Sequence, residues 1–349
     1  MPKAPPVVAR VRRGAHVESR HRGDGAVVDE DGHPLADWGD PSLPVFLRSA
    51  AKPFQALPLL EGGGGKRFRL SSRDIALICA SHGGKPSHVR GVRRLLERGG
   101  FAPNALVCGP HLPIHEPSAM ALLSRGERPT RLHNNCSGKH AGLLLACRLL
   151  ALPPDGYWRP SHPLQLAIRR RLAELGSFPE TDIDSAIDGC GLAVFRLPLS
   201  AIALAYARLL ARRIAGESVA QARARSRVVS AMWERPEMVA GSGFFTTEFL
   251  RAGRNRWIGK EGAEAVYAVG VRAGEGGGRA AGIALKVEDG SARARPAVTL
   301  ALMREMGWLT ASARRALAEH ESPSVRNSAG AVVGSIEAEV PIIRRDAAG

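Results

Sequence analysis

The chain has 349 residues, is 44% hydrophobic and carries a net charge of +16; it can bury a large core, as one large domain or two. No apolar run reaches the roughly 18–20 residues of a membrane span, and the first residues lack a signal-peptide apolar segment. Five cysteines without regular pairing fit reduced thiols, so the expectation is a cytoplasmic protein with no membrane partner. The positive excess is arginine spread along helical stretches, and aromatics are only 5%. Solvated arginine-rich faces are expected rather than a nucleic-acid surface.

In chain order, residues 7–11, 16–20 and 26–29 read as short strands separated by Gly14, Gly23-Asp24-Gly25 and Asp31-Gly32, an antiparallel meander. Residues 45–47 run into a helix start at Ser49 to Gln55. Residues 61–65 read as a glycine-rich loop, and Ser71 to Asp74 as the cap of a helix through 75–79. A helix at 89–97 follows Ser81-His82-Gly83-Gly84. The run 143–151 is apolar almost all round, so it reads as a buried helix. Further helices are expected at 163–175, 199–214, 219–233, 296–307 and 311–319. Strands are expected at 183–190, 265–271 and 281–287, the last two joined by a glycine-rich connector. Strands at both ends with helices between predict an α/β (α+β) sandwich, mainly an antiparallel sheet with flanking helices. It reads as a single domain over 1–349, its N- and C-terminal strands sharing one sheet.

Five stretches could carry chemistry. Ser49-Ala50-Ala51-Lys52 puts a hydroxyl and an amine on one helical face, and a lysine depressed by burial can take the serine proton. That pattern also occurs in penicillin-recognising enzymes; the plain alternative is a capping serine with a solvated lysine. Ser81-His82-Gly83-Gly84 lets backbone N–H groups approach a ligand, or is a serine cap with surface histidines at 82 and 88. Arg131 to Gly142 packs Asn134, Asn135, Cys136, Lys139 and His140 at the entry of the buried helix, where unpaired polar groups are costly. Cys136 there has a lowered thiol pKa, and the asparagines suit an amide or amino-acid substrate. Asp188-Gly189-Cys190-Gly191 holds a carboxylate near a thiol on a turn. Cys136 and Cys190 are not in Cys-x-x-Cys pairs, so any metal site is assembled by the fold. Lys260 lies between glycines in Trp257 to Glu264, on what reads as a turn before a strand. Lysine is scarce, seven in all, and three of the seven fall in these stretches. Cys79, Cys108 and Cys147 read as plain core residues.

Together Arg48 to Gln55, Ser81 to Gly84, Asn134 to Gly142, Asp188 to Gly191 and Gly259 to Gly262 resemble, in order and approximate spacing, the Rhizobium-etli-type L-asparaginases, the thermolabile asparaginase II family. The likeness spans roughly residues 8 to 340. It implies a fold like that of serine β-lactamases and glutaminases, a homodimer, and hydrolysis of L-asparagine to L-aspartate and ammonia. It implies two Ser-Lys pairs, Ser49 with Lys52 and Ser81 with Lys260, and a zinc site of Cys136, Lys139 and Cys190. Arg48, His82, Asn134, Asn135, His140 and Asp188 would then contact substrate. On this reading Ser49 attacks, Lys52 takes its proton, and Ser81 relays a proton from Lys260 to the leaving ammonia.

The chain departs from the family where relatives carry a further cysteine, within Gly241 to Thr247; here Thr246 and Thr247 stand instead. Two other classes compete. A penicillin-recognising acyl-serine enzyme would need Ser-Asp-Asn and Lys-Thr-Gly, which are lacking. A basic binding protein without enzymatic activity, on the same fold, is the other.

Overall fold

The computed structural model describes residues 4–274 and 279–345; part of the glycine-rich connector before residue 281 lies outside them. The strands are β1 (Val7–Arg13), β2 (His16–Asp29), β3 (Pro34–Trp38), β4 (Pro44–Phe46), β5 (Asp184–Ile187), β6 (Ala193–Pro198), β7 (Trp257–Gly262), β8 (Val266–Val271), β9 (Ala281–Val287), β10 (Ser324–Arg326), β11 (Val332–Ala338) and β12 (Ile343–Arg344). Among the described residues the large sheet runs β10-β11-β1-β2-β9-β8-β7, with β3 joining β2 to β12. Its pairs are antiparallel, including β1 with β11, which joins the two ends of the chain. A second, small sheet is ordered β4-β6-β5. The architecture is a mixed α/β sandwich, mainly antiparallel sheet with flanking helices.

Side chains alternate across the sheet, and in β8, β9 and the second half of β2 both faces are buried. Ala26, Val28, Val266, Ala268 and Ala284 join the larger core with the helices Ser72–Ile78, Ser137–Leu149 and Leu199–Leu210. Val27, Tyr267, Val269, Ile283 and Leu285 join the smaller core under the helices Phe245–Gly253 and Arg295–Glu305. Central strands buried on both sides need near-continuous apolar sequence, which β8 and β9 have. The helix Leu199–Leu210 approaches the sheet so closely that a Cβ at Gly282 would stand 1.8 Å from the Ala203 carbonyl oxygen.

Three expectations are corrected, all at glycines. The strands expected at 16–20 and 26–29 are one strand, β2. Gly23 and Gly25 do not break it; they make room, since a Cβ would meet the Lys286 carbonyl at 2.5 Å or the Trp38 ring at 1.9 Å. Lys260 is not on a turn but inside β7, where Gly259 lets Phe249 and Tyr267 pack against the backbone. The expected loop at 61–65 is mostly short helix, Leu57–Glu61 and Gly64–Arg67.

Candidate active site

The site is assembled from segments far apart in sequence. β4 ends at Phe46, and Arg48 takes φ 51°, a left-handed conformation uncommon for a bulky residue. That bend leads into the single turn Arg48–Ala51 and the short helix Lys52–Gln55. Pro53 sits in the first helical turn, where its missing N–H is harmless, so it does not conflict with a helical Lys52. The Tyr206 hydroxyl donates to the Ala50 carbonyl at 2.7 Å and fixes this turn.

Ser81 follows the helix Ser72–Ile78, which opens on a Ser71–Asp74 capping box. Its strand-like loop is held by Ser81 N–H to Val239 O at 2.9 Å and Gly83 N–H to Ala240 O at 2.8 Å. The third segment is β7. Lys260 pairs with Ala268 of β8, so it shares the face turned to the larger core.

These segments converge on one oxygen. Lys52 Nζ donates to Ser81 Oγ at 2.9 Å and to the Ala80 carbonyl at 2.6 Å. Lys260 Nζ donates to the same Ser81 Oγ at 2.8 Å. The hydrogen bond expected between Ser49 Oγ and Lys52 is absent among the described residues; the short helix turns the lysine toward Ser81. Ser49 and Ser81 nonetheless line one cavity of about 250 Å3, with Asn135, Thr246, Glu261 and Arg295 also on its wall.

Both lysines are buried, Lys260 completely. Burial drives the Lys260 pKa down to about 8, against the pull of Glu261, whose Oε1 lies 2.5 Å from Nζ. Burial would raise the Glu261 carboxyl, but Lys260 and Arg295 outweigh it and hold the pKa at about 2. The other oxygen, Oε2, accepts from Thr246 Oγ1 at 2.5 Å. Thr246 thus faces the site, whereas Thr247 donates to the Pro236 carbonyl and accepts from Gly241 N–H.

Behind Ser81 lies a sulfur pair. Cys136 caps the helix Ser137–Leu149, as its position implied. Its hydrogen bond with Cys190, aided by the Lys52 and Lys139 charges, holds it well below the usual thiol value despite burial. The same bond, with burial, pushes Cys190 up. Lys139 Nζ donates to Cys190 Sγ at 3.0 Å. Burial opposes its charge, but the two sulfurs raise the pKa overall. No third sulfur, imidazole or carboxylate joins Cys136 and Cys190 within 4.8 Å among the described residues. Lys139 is therefore the third donor at hand. Two sulfurs and an amine fit a borderline-soft cation such as zinc, once Lys139 gives up its proton.

The residues expected to meet substrate divide. Asn135 lines the cavity. Arg48 is instead paired with Asp188, Nε to Oδ1 at 2.8 Å. Asn134 is a bracket, accepting from Cys136 N–H at 2.8 Å and donating to the Gly109 carbonyl at 2.6 Å. His82 and His88 are buried and stacked, not at the surface. Gly84 N–H donates to His82 Nδ1, so the opposite ring nitrogen carries the proton toward Ser137 Oγ at 2.9 Å. Burial lowers the His82 pKa well below its usual value, consistent with a neutral strut. His140 is likewise lowered by burial, with Nδ1 on the Tyr157 hydroxyl and Nε2 unpartnered. The residues missed from sequence are Glu261 and Arg295. A glutamate adjoining the key lysine was a usable signal for the first; nothing local marks the second.

No curated protein matches the chain. Solved structures of Mglu are similar at 16% identity: one covers 81% of this chain and 66% of its own with a TM-score of 0.34. The native form with 4.3 M NaCl covers 81% and 60% at 0.34, and the tris and glutamate form 86% and 62% at 0.35. The chain thus spans 60–66% of the length of these Mglu chains, and likeness at this level has no functional weight. The model of the L-asparaginase II family matches residues 9–338, and over that span, nearly the whole sequence, the chain belongs to the L-asparaginase II family.

Proposed function

We propose that the chain is an amidohydrolase that cleaves the side-chain amide of L-asparagine to L-aspartate and ammonia through a serine acyl-enzyme. The observation that carries this reading is the Ser81 hydroxyl held between two buried lysine amines, at 2.9 and 2.8 Å, beside a small cavity. A serine hydroxyl is a weak nucleophile until a neutral base takes its proton. Lys260, lowered to about 8, is that base.

Ser81 Oγ gives its proton to neutral Lys260 and attacks the carboxamide carbon. The Ser81 N–H is engaged by Val239 O, so oxyanion donors come from the turn carrying Ser49, which also lines the cavity. Lys52, the second amine on the hydroxyl, donates its own proton to the departing ammonia and is left neutral. Water then attacks the β-aspartyl ester, giving a proton to neutral Lys52, while Lys260 returns the first proton to Ser81 Oγ as L-aspartate leaves. Compared with the pattern implied by family resemblance, the roles of the two serines are exchanged, because Lys52 bonds to Ser81 rather than Ser49. Cys136, Lys139 and Cys190 would hold the zinc ion that the resemblance implies; with its charge offset by two thiolates, it would serve to orient substrate rather than to activate the nucleophile. The Lys52 amine, which donates to Ser81 Oγ, also lowers the Cys136 thiol pKa by its charge, so the sulfur pair and the Ser81 site adjoin. A second copy is the proposed partner; the exposed Leu112, Ile114, Met120 and Leu123 support a self-contact, and Ile114 also lines the cavity.

The test is ammonia release from L-asparagine and L-glutamine by the purified protein, with and without chelator. Faster release from asparagine supports the reading, and none from either amide removes it.

A further inference from the structure

An amino-acid amide brings an α-carboxylate into the cavity beside Ser81, and a carboxylate taken from water needs a cation and donors there. Most cations near this site are engaged. Lys52 is bound to Ser81 and Ala80, and Lys260 to Ser81 and Glu261. Arg48 is paired with Asp188 and is not on the cavity wall. Arg295 differs. It is the cation among the described residues lining this cavity. Its Nη1 donates to the Gly262 carbonyl at 3.0 Å, at the end of the strand that bears Lys260. The guanidinium lies over the Tyr267 ring, 5.7 Å from its centre. Its Nε is buried and has no hydrogen-bond partner. Glu261 does not claim it by hydrogen bond, since Oε1 takes Lys260 and Oε2 takes Thr246.

A guanidinium anchored at one nitrogen and stacked on a ring keeps its planar fork in place at little entropic cost. An unpaired buried N–H is unfavourable until an acceptor arrives. We infer that Arg295 receives the α-carboxylate of the substrate, setting the chain's preference for free amino-acid amides over amides that lack this group. The assignment rests on the amide-hydrolysis reading, and it places the carboxylate anchor on the first residue of the helix Arg295–Glu305.

The experiment compares wild type, Arg295→Gln and Arg295→Lys on three amides. L-Asparagine carries both α-groups, succinamate keeps only the carboxylate, and 3-aminopropanamide keeps only the amine. Arg295→Gln is expected to lower the kcat/KM ratio of asparagine over 3-aminopropanamide about a hundredfold, the loss of one charge-assisted pair. The loss falls on KM, succinamate follows asparagine, and Arg295→Lys recovers part of it. Calorimetric binding of L-aspartate against β-alanine gives the same contrast without turnover, with Arg295→Gln abolishing the preference. An equal loss on all three amides, as from damage to the Gly262 contact, or an unchanged preference, overturns the assignment. A wild type that hydrolyses asparagine with an unchanged variant defeats the Arg295 role alone. A wild type that releases no ammonia removes the amide-hydrolysis reading and this role with it.

Discussion

Lys260 Nζ lies 2.8 Å from Ser81 Oγ, although 179 residues separate them. The contact exists because β7 is the edge strand of the large sheet, and its inward face meets the loop held by Val239 and Ala240. Lys52 reaches the same oxygen from the opposite end of the chain order. One hydroxyl with two amines can lose a proton to one and see a proton delivered by the other.

Replacing Ser81 by Ala is therefore expected to reduce kcat for ammonia release by about ten-thousandfold, the scale of a lost nucleophile. Ser49→Ala is expected to lose about ten- to a hundredfold, as for a group that lines the site without carrying the bond. Steady-state rates on L-asparagine, with mass spectrometry for a β-aspartyl adduct, decide the matter. An adduct on Ser49, or a larger loss at Ser49, reverses the two roles.

The rate should rise with pH. Lys260 works as a base only when neutral, and its pKa is lowered to about 8; kcat/KM climbs through about 8 and levels above it. Glu261 raises that pKa by its charge and its hydrogen bond. Glu261→Gln removes the carboxylate, so the limb moves to lower pH, by about one unit. A limb that stays in place or moves to higher pH would show that the titrating group is not Lys260.

Zinc content tests the sulfur pair directly. Cys136→Ser, Cys190→Ser and Lys139→Met are each expected to lower the metal bound per chain, measured by atomic emission after equilibrium dialysis. The sulfurs hold Lys139 protonated, and a ligand amine must lose that proton, so zinc affinity falls about tenfold or more for each unit of acidification. Equal zinc in wild type and all three variants would sink the site.

The helix Leu199–Leu210 and β9 leave no space at Gly282. Gly282→Ala forces the helix off the sheet, and a loss of about 3 kcal/mol or more is expected in urea unfolding. Gly109→Ala, with nothing within 4 Å of the added Cβ, serves as the control and is expected to stay within about 0.5 kcal/mol.

Much of the fold was legible because most elements are punctuated in the ordinary way. Ser71 caps its helix, Pro163 opens the helix Pro163–Gly176, and the alternation of β2 matches two cores. Reading failed where glycine served proximity rather than turning. Gly23, Gly25 and Gly259 sit inside strands, and nothing local distinguishes them from turn glycines. The site was legible as a set of residue types, but not as a set of partners. Ser49 and Lys52 sit three apart, so local spacing favoured their pairing, whereas the orientation of Lys52 depends on Ala80 and Ser81, 28 and 29 residues away. Arg295 was invisible for the same reason: in a chain rich in arginine, only the third dimension shows which one faces the cavity.

β1 pairs with β2 on one side and β11 on the other. During synthesis β2 arrives at once, but the other edge of β1 stays open until residues 332–338 emerge. For most of translation it is a bare row of backbone donors and acceptors, the kind of template that recruits strands from neighbouring chains. Its sequence, VVARVRR, is apolar in one half and cationic in the other. Arg10 and Arg12 act as charged guards on that edge while it waits. When the late strand docks, Glu339 and Glu337 meet these two arginines, each at 2.6 Å, so the groups that repel a stranger greet the native partner. Neutralising Arg10 and Arg12 would thus harm the yield of soluble protein more than the stability of the finished molecule.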